Sequence, residues 1–187
     1  MINHVPGTTF SYSNPDGETF EKPSVIICNH QSHLDLMAVM MLTPNLIILT
    51  KKWVWHNPFY GIVIRYADYF PITDTEEMMQ DISKKVEEGY SVVIFPEGTR
   101  SADCRILRFH RGAFYLAEQL NLDIVHVFIN GFGKVLPKES FHLHPGHMSL
   151  EVMKRVRRDE EQEDYRDMTK RMHRLYIKKN EEVCHHR

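Results

Sequence analysis

No stretch of this sequence approaches the roughly 18 consecutive apolar residues that a membrane-spanning helix needs. The longest clear apolar run is LMAVMML, Leu36 to Leu42, so any meeting with a bilayer is expected from its surface. The opening residues MINHVPGTTFSYSNPDGETF lack the basic-then-apolar pattern of a secretory leader. Cysteine is scarce: Cys28, Cys104 and Cys184 are widely spaced and odd in number. They offer no disulfide framework and no CxxC metal knuckle, and a reducing compartment is the simpler setting. Net charge is nearly absent as well. At −2 it gives no global attraction to nucleic acid, and any anion site must be local.

What is present reads as an ordinary globular chain. Its 187 residues suffice for one sizeable core and are short for two. No internal repeat, low-complexity tract or linker divides it, so a single domain over 1–187 is expected. Residues 1–23 form a polar N-terminal segment of that domain, and a charged helix lies within 157–187. The basic end CHHR is compatible with one domain of a longer protein.

Apolar runs alternate with helical patterns. SVIIC (Ser24 to Cys28), NLIIL (Asn45 to Leu49), Ser91 to Phe95 and Ile124 to Ile129 read as strands. A short strand fits Tyr69 to Ile72, and a wetter one His147 to Val156. Helices are expected through Leu36 to Leu42, Glu76 to Glu88 and Gly112 to Leu120, with a helix-compatible stretch from Pro58 to Ala67. In the second of these Met78, Ile82 and Val86 recur at helical spacing and Gly89 stops the pattern. A last helix is expected from Glu163 to Glu182, with Tyr165, Met168, Met172, Leu175 and Tyr176 on one side. The alternation predicts an α/β fold with a largely parallel sheet, where functional groups gather at the carboxyl ends of strands.

Two strings begin where an apolar strand ends: NHQSHLD (Asn29 to Asp35) and FPEGTRS (Phe95 to Ser101). A neutral imidazole, with an ordinary pKa near about 6.5, suits a general base, and a carboxylate on its far nitrogen sets the tautomer. Residues five apart do not share a helix face. His30 and Asp35 therefore meet only if His30 lies in the strand-to-helix turn and Asp35 in the first helical turn. In the second string Gly98 permits close backbone approach, Thr99 offers a hydroxyl and Arg100 a planar fork matched to phosphate or carboxylate.

Blander readings stand beside these. His30 and Asp35 serve equally as turn and capping residues, and Glu97 with Arg100 as a loop salt bridge. His33 competes as the base, and HxxHxD contains three potential metal ligands, although the spacing misses the HExxH and related patterns. Cys28, two residues before His30, reads as a buried and inert thiol. FHLHPGHM (His142, His144, His147) reads as an exposed turn.

NHQSHLD and FPEGTRS, in this order, resemble the glycerolipid acyltransferase family, which includes the 1-acylglycerol-3-phosphate acyltransferases. With two weaker blocks the resemblance spans Ser24 to Lys138. It implies an α/β domain with a central, largely parallel or mixed sheet flanked by helices. It also implies transfer of a fatty acyl group from a coenzyme A or acyl-carrier-protein thioester to a lipid acceptor such as 1-acylglycerol-3-phosphate. His30 is then the base and Asp35 its orienter, with no acyl-enzyme, metal or cofactor. Asn29, Glu97, Gly98, Thr99 and Arg100 are the implied substrate-binding residues. The partners are the thioester donor, a lysophospholipid or other lipid acceptor, and a membrane surface met peripherally from the cytoplasm.

The chain departs from the family in its middle block, GxxFIxR. In ADYFPITD (Ala67 to Asp74) Phe70 matches, but Thr73 stands where the arginine belongs. The acceptor is accordingly open, and Arg65, Lys51 or Lys52 could restore the charge. In the fourth block, DIVHVFINGFGKVLPK, His126 replaces a proline, read as a packing change. The stretch KKWVWHNPFYGIVIRYADYF sets aromatics beside lysines, fit for a membrane interface or for burial against the sheet. A metal-dependent phosphoesterase using His30, His33 and Asp35, and a non-catalytic lipid- or carrier-binding module, are the competing functions.

Overall fold

The computed structural model describes residues 7–50, 68–71, 76–140, 142–160 and 163–185. The stretch offered as an interfacial element lies outside them except for its last three backbone positions. Thr73, Arg65, Lys51 and Lys52 lie outside them as well.

The central strands form where continuous apolar runs are buried on both faces. These are β2 (Ser24–Cys28), β5 (Ser91–Ile94) and β6 (Asp123–Asn130), and every residue of all three is buried. Around them lie β1 (Thr8–Ser13), β3 (Leu46–Thr50), β4 (Asp68–Pro71) and β7 (Gly146–Val152). The sheet order is β1-β7-β6-β2-β5-β3-β4. Pairing is parallel from β6 through β2, β5 and β3 to β4, antiparallel between β6 and β7, and parallel again between β7 and β1. The sheet is thus mixed, with one reversed pair at an edge.

Side chains alternate between two cores, as the pleat requires. Ile26 and Cys28 join one core with Ala38 and Val39 of α1 (Leu34–Val39) and Phe132 and Val135 of α4 (Phe132–Val135). Val25 and Ile27 join the other, covered by α2 (Glu76–Glu87), α3 (Gly112–Gln119) and α5 (Tyr165–His185). From α5 come Met168, Met172 and Tyr176, all buried, whereas Leu175 is 41% exposed. The expected stripe is therefore narrower than its five residues: the 168, 172, 176 row takes the core and Leu175 falls at its wet edge.

Most expected elements stand within two residues of their bounds. The first helix is shorter than its apolar run, ending at Val39, with Met40 to Leu42 continuing as a turn. The last strand ends at Val152, and Val156 makes a separate antiparallel bridge to Ile124. β1 was not expected. In TTFSYS only Thr8 is buried, so the segment lacks an apolar run and instead pairs along β7. Phe10 anchors it edge-on against Phe132, ring centroids 6.2 Å apart.

His126 sits fully buried in β6, and burial pushes its pKa down to about 3. Its Nδ1 lies 3.5 Å from the hydroxyl of Tyr176. That hydroxyl donates to the carbonyl of Ile27 at 2.7 Å and reaches that of Val127 at 3.1 Å, fastening α5 to the two central strands. Tyr176→Phe should cost about 1–2 kcal/mol, the worth of a buried hydrogen bond whose acceptors stay behind. Urea unfolding reads this as a lower midpoint at unchanged slope. An unchanged midpoint would show that the hydroxyl fastens nothing.

Candidate active site

β2 and β5 are parallel neighbours in the register Val25↔Val92, Ile26↔Val93, Ile27↔Ile94. Their carboxyl ends therefore release Asn29–His30 and Phe95–Pro96–Glu97 side by side. β6 flanks β2 on the other side, with Cys28 opposite Val127, and the chain beyond Asn130 returns over the same end. Topology alone thus gathers three loops.

The turn after β2 closes on Asp35. One carboxylate oxygen, Oδ2, accepts the backbone N–H groups of Gln31 (2.6 Å) and Ser32 (2.8 Å) and bonds His30 Nδ1 at 2.8 Å. Asp35 is 0% exposed and its Oδ1 has no partner in the described structure. Burial raises its pKa, opposed by His30 and the two backbone donors. A carboxylate in the first turn of α1 thereby organises the turn before it and orients the imidazole. The two residues meet as the spacing required.

The imidazole lies over Phe95, stacked at 4.3 Å and 26°. Its backbone is held by the second motif from both sides. The N–H of His30 donates to Glu97 Oε1 at 2.9 Å, and its carbonyl accepts from the N–H of Ser101 at 2.8 Å. With Nδ1 on Asp35, Nε2 is the nitrogen left for chemistry; no partner holds it among the described residues, and the side chain is 21% exposed.

Glu97 was expected to touch substrate. It is 4% exposed, and its second oxygen accepts the N–H of Leu107 at 2.9 Å. Both oxygens are spent on backbone donors from two different loops. Burial, with the nearby Asp35 charge adding to it, pushes the pKa of Glu97 up to about 7. Asn29 carries the same expectation. It is fully buried, and its amide exchanges two hydrogen bonds with Ile129 of β6, at 3.0 and 2.8 Å. These two polar side chains bind the protein to itself, because each was carried by the fold into a place where backbone groups needed partners.

Gly98, Thr99 and Arg100 occupy the rim. Gly98 closes the Phe95–Gly98 turn at φ +65, a conformation that favours glycine. Thr99 is exposed and Arg100 half-buried. Burial lowers the Arg100 pKa, opposed by Asp35. His33 is half-buried, and burial together with the charges of Arg100 and His30 takes its pKa down to about 4. It is neutral near pH 7. Cys28 is fully buried, and burial drives its pKa well up. His147 sets its two ring nitrogens against Thr9 and Ser11, at 2.8 and 3.1 Å.

Several contributors carried no signal of spacing. Phe95 and Ser101 lie inside the motif string but act through a ring face and a backbone N–H. Leu136 joins from the loop after α4, its carbonyl accepting from Ser32 Oγ at 2.8 Å. Lys138 joins beside it, its carbonyl accepting from Arg100 Nη1 at 3.0 Å.

The sequence model of a family described as Acyltransferase matches residues 9–130, more than half of the chain. A 1-acyl-sn-glycerol-3-phosphate acyltransferase of Cocos nucifera is 28% identical over 192 residues, covering 95% of this chain and 62% of that protein. The 1-acyl-sn-glycerol-3-phosphate acyltransferase beta of Homo sapiens is 29% identical over 157 residues, with 80% and 56% covered. The chain thus spans less than two thirds of the length of these relatives. The crystal structure of the 1-acyl-sn-glycerophosphate acyltransferase PlsC from Thermotoga maritima superposes with a TM-score of 0.76 at 21% identity. The superposition covers 92% of this chain and 71% of that one, a likeness of fold.

The Glu97 latch can be tested apart from any activity. Glu97→Gln puts an NH2 where one of two backbone N–H groups needs an acceptor, and should cost about 1–3 kcal/mol. A carboxyl that titrates near 7 in the fold and at 4.5 otherwise binds its proton more tightly when folded. Its contribution to stability is complete below pH 4.5 and declines as pH rises toward 7. The gap in unfolding free energy between the native protein and Glu97→Gln should therefore narrow from pH 5 to pH 8. A gap that widens would show that the carboxyl is not held up by burial.

Proposed function

The chain belongs to the Acyltransferase family, and from that premise we propose that it transfers a fatty acyl group from a coenzyme A or carrier-protein thioester to the hydroxyl of a 1-acylglycerol-3-phosphate-type lipid. The observation that carries the reading is the His30 Nδ1–Asp35 bond of 2.8 Å, which leaves Nε2 as the ring nitrogen without a partner among the described residues. The names of the relatives support the acceptor class.

Asp35 holds the proton on Nδ1, so Nε2 presents its lone pair. The acceptor hydroxyl gives its proton to Nε2 as its oxygen attacks the thioester carbonyl. The carbon–sulfur bond breaks, and the imidazolium returns the proton to the departing thiolate. Asp35 stabilises that imidazolium while it exists. No enzyme nucleophile is consumed, because a thioester carries a good leaving group and positioning supplies much of the rate. Arg100 meets the anionic headgroup. Asn29 and Glu97 act as positioning residues: Glu97 ties the N–H of His30 to that of Leu107, and Asn29, next to His30, is tied to Ile129 of β6.

No described helix is long and apolar enough to cross a membrane. Met37 and Met41, 44% and 68% exposed, supply apolar surface on and just beyond α1, the helix that carries Asp35. That supports peripheral contact with the lipid that carries the acceptor.

His30→Ala should lower turnover by about a hundredfold to ten-thousandfold, the worth of general-base catalysis, with far-ultraviolet circular dichroism unchanged. Asp35→Asn should also cripple the rate. It removes the charge that favours imidazolium and is expected to loosen the Gln31–Ser32 turn. Thiol release from an acyl thioester, with lysophosphatidate as acceptor, measures both. Transfer should persist after exhaustive chelation; activity lost on chelation and restored by zinc or manganese would favour metal-dependent hydrolysis. Near-native turnover in folded His30→Ala protein would end the general-base reading.

A further inference from the structure

The loop from Ser101 to His110 runs beside both motifs and is pinned at its two ends. The N–H of Ser101 donates to the carbonyl of His30 at 2.8 Å, and the N–H of His110 to that of Pro96 at 2.7 Å. Between these ends Leu107 is bound through both of its backbone groups. Its N–H donates to Glu97 Oε2 at 2.9 Å, and its carbonyl lies 3.0 Å from Nε2 of His173 on α5. A carbonyl has no proton to give, so Nε2 carries the hydrogen of that bond. The other oxygen of Glu97 holds the N–H of His30 at 2.9 Å. Three hydrogen bonds thus lead from a ring on α5 to the backbone of the base.

The helix is held where His173 sits. Three residues on, a neighbour on the helix surface, Tyr176 bonds the carbonyls of Ile27 and Val127 in the central strands. The rings of both residues meet Phe109, at 5.0 Å from His173 and 5.1 Å from Tyr176, and Phe109 is buried. The imidazole is thereby seated between a buried ring and the carbonyl it binds. Without that bond Leu107 is released on one side. If Leu107 then drifts, a buried oxygen of Glu97 loses its donor, and the carboxyl shifts with the amide of His30 attached to it. The family model matches residues 9–130, which include His30, Asp35, Glu97 and Leu107; His173 lies beyond them.

We propose that His173 is a positioning residue for acyl transfer: from α5 it holds Leu107, and through Leu107 it holds Glu97 against the backbone of His30. This rests on the acyl-transfer reading above. His173 takes no proton from the acceptor and makes no bond to either substrate. Its effect reaches the base as geometry, and a misplacement of about 1 Å in a reacting group can cost about a hundredfold in rate. Such a loss falls on the transition state, so it appears in kcat and not in KM.

His173→Leu fills the space beside Phe109 and removes the donor. His173→Gln sets an amide NH2 near the position of Nε2, whereas His173→Asn sets it near Nδ1, short of Leu107. In His173→Leu, kcat for thiol release with lysophosphatidate should fall about tenfold to a hundredfold, with KM for thioester and acceptor each within about twofold. His173→Gln should recover most of that loss and His173→Asn little of it. The comparison of Gln with Asn stands by itself where His173→Leu does not fold. Amide hydrogen exchange, which needs no turnover, should quicken at Leu107 and His30 in the Leu and Asn variants and stay unchanged at Val25 to Ile27 of β2. Near-native kcat in folded His173→Leu, or equal kcat in the Gln and Asn variants, would overturn the proposal. Exchange quickened throughout β2 would show a general loosening and overturn it too. Absence of transfer by the unaltered protein would defeat the acyl-transfer reading instead. In that event exchange alone decides the coupling to His30: faster exchange at Leu107 and His30 upholds it, and unchanged exchange overturns it.

Discussion

The parallel pairing of β2 with β5 is the constraint on which the rest of the site depends. Once Ile27 lies opposite Ile94, the residues that follow leave the sheet at the same end and at neighbouring positions. Their backbones then bond to each other: Glu97 takes the N–H of His30, and Ser101 gives its N–H to the carbonyl of His30. The imidazole needs only a rotamer after that, which Asp35 and the face of Phe95 set. Preorganisation of this kind places the cost of ordering the imidazole in folding.

Two buried carboxylates so near each other carry an electrostatic cost. Asp35 and Glu97 are both raised by burial, and the Asp35 charge adds to the shift at Glu97. Backbone N–H groups, two on Asp35 and two on Glu97, offset that cost. The positive charge available to a ligand is kept at the rim instead. Arg100 and Lys138 stand there, both half-buried.

Much of this was legible in residue order. SVIIC, SVVI and the helix with Met78, Ile82 and Val86 declare themselves by periodicity, because strands buried on both faces and amphipathic helices leave distinct patterns. β1 leaves none: an edge strand with one wet face needs few apolar residues. The spacing of His30 and Asp35 implied a turn, and the turn is there. The hydrogen-bond partners of Asn29 and Glu97 were not legible. Their chemistry fits a ligand as well as a backbone, and the partners that engage them, Ile129 and Leu107, are distant in sequence and unmarked by any motif.

The sequence by itself determined the α/β class, the two strand-end motifs, the family to which they belong and the residue types able to move a proton. Only the tertiary structure decided which polar side chains the backbone engages. Hydrogen-bond capacity is used up locally, and what uses it depends on which backbone donors the sheet order brings near. Asn29 and Glu97 are taken by Ile129, His30 and Leu107 because β6 and the 101–110 loop pass beside them. Lys138 comes to Thr99 and Arg100 because the return after α4 crosses the same end of the sheet. No local pattern encodes that crossing, since it follows from strand order and not from spacing along the chain.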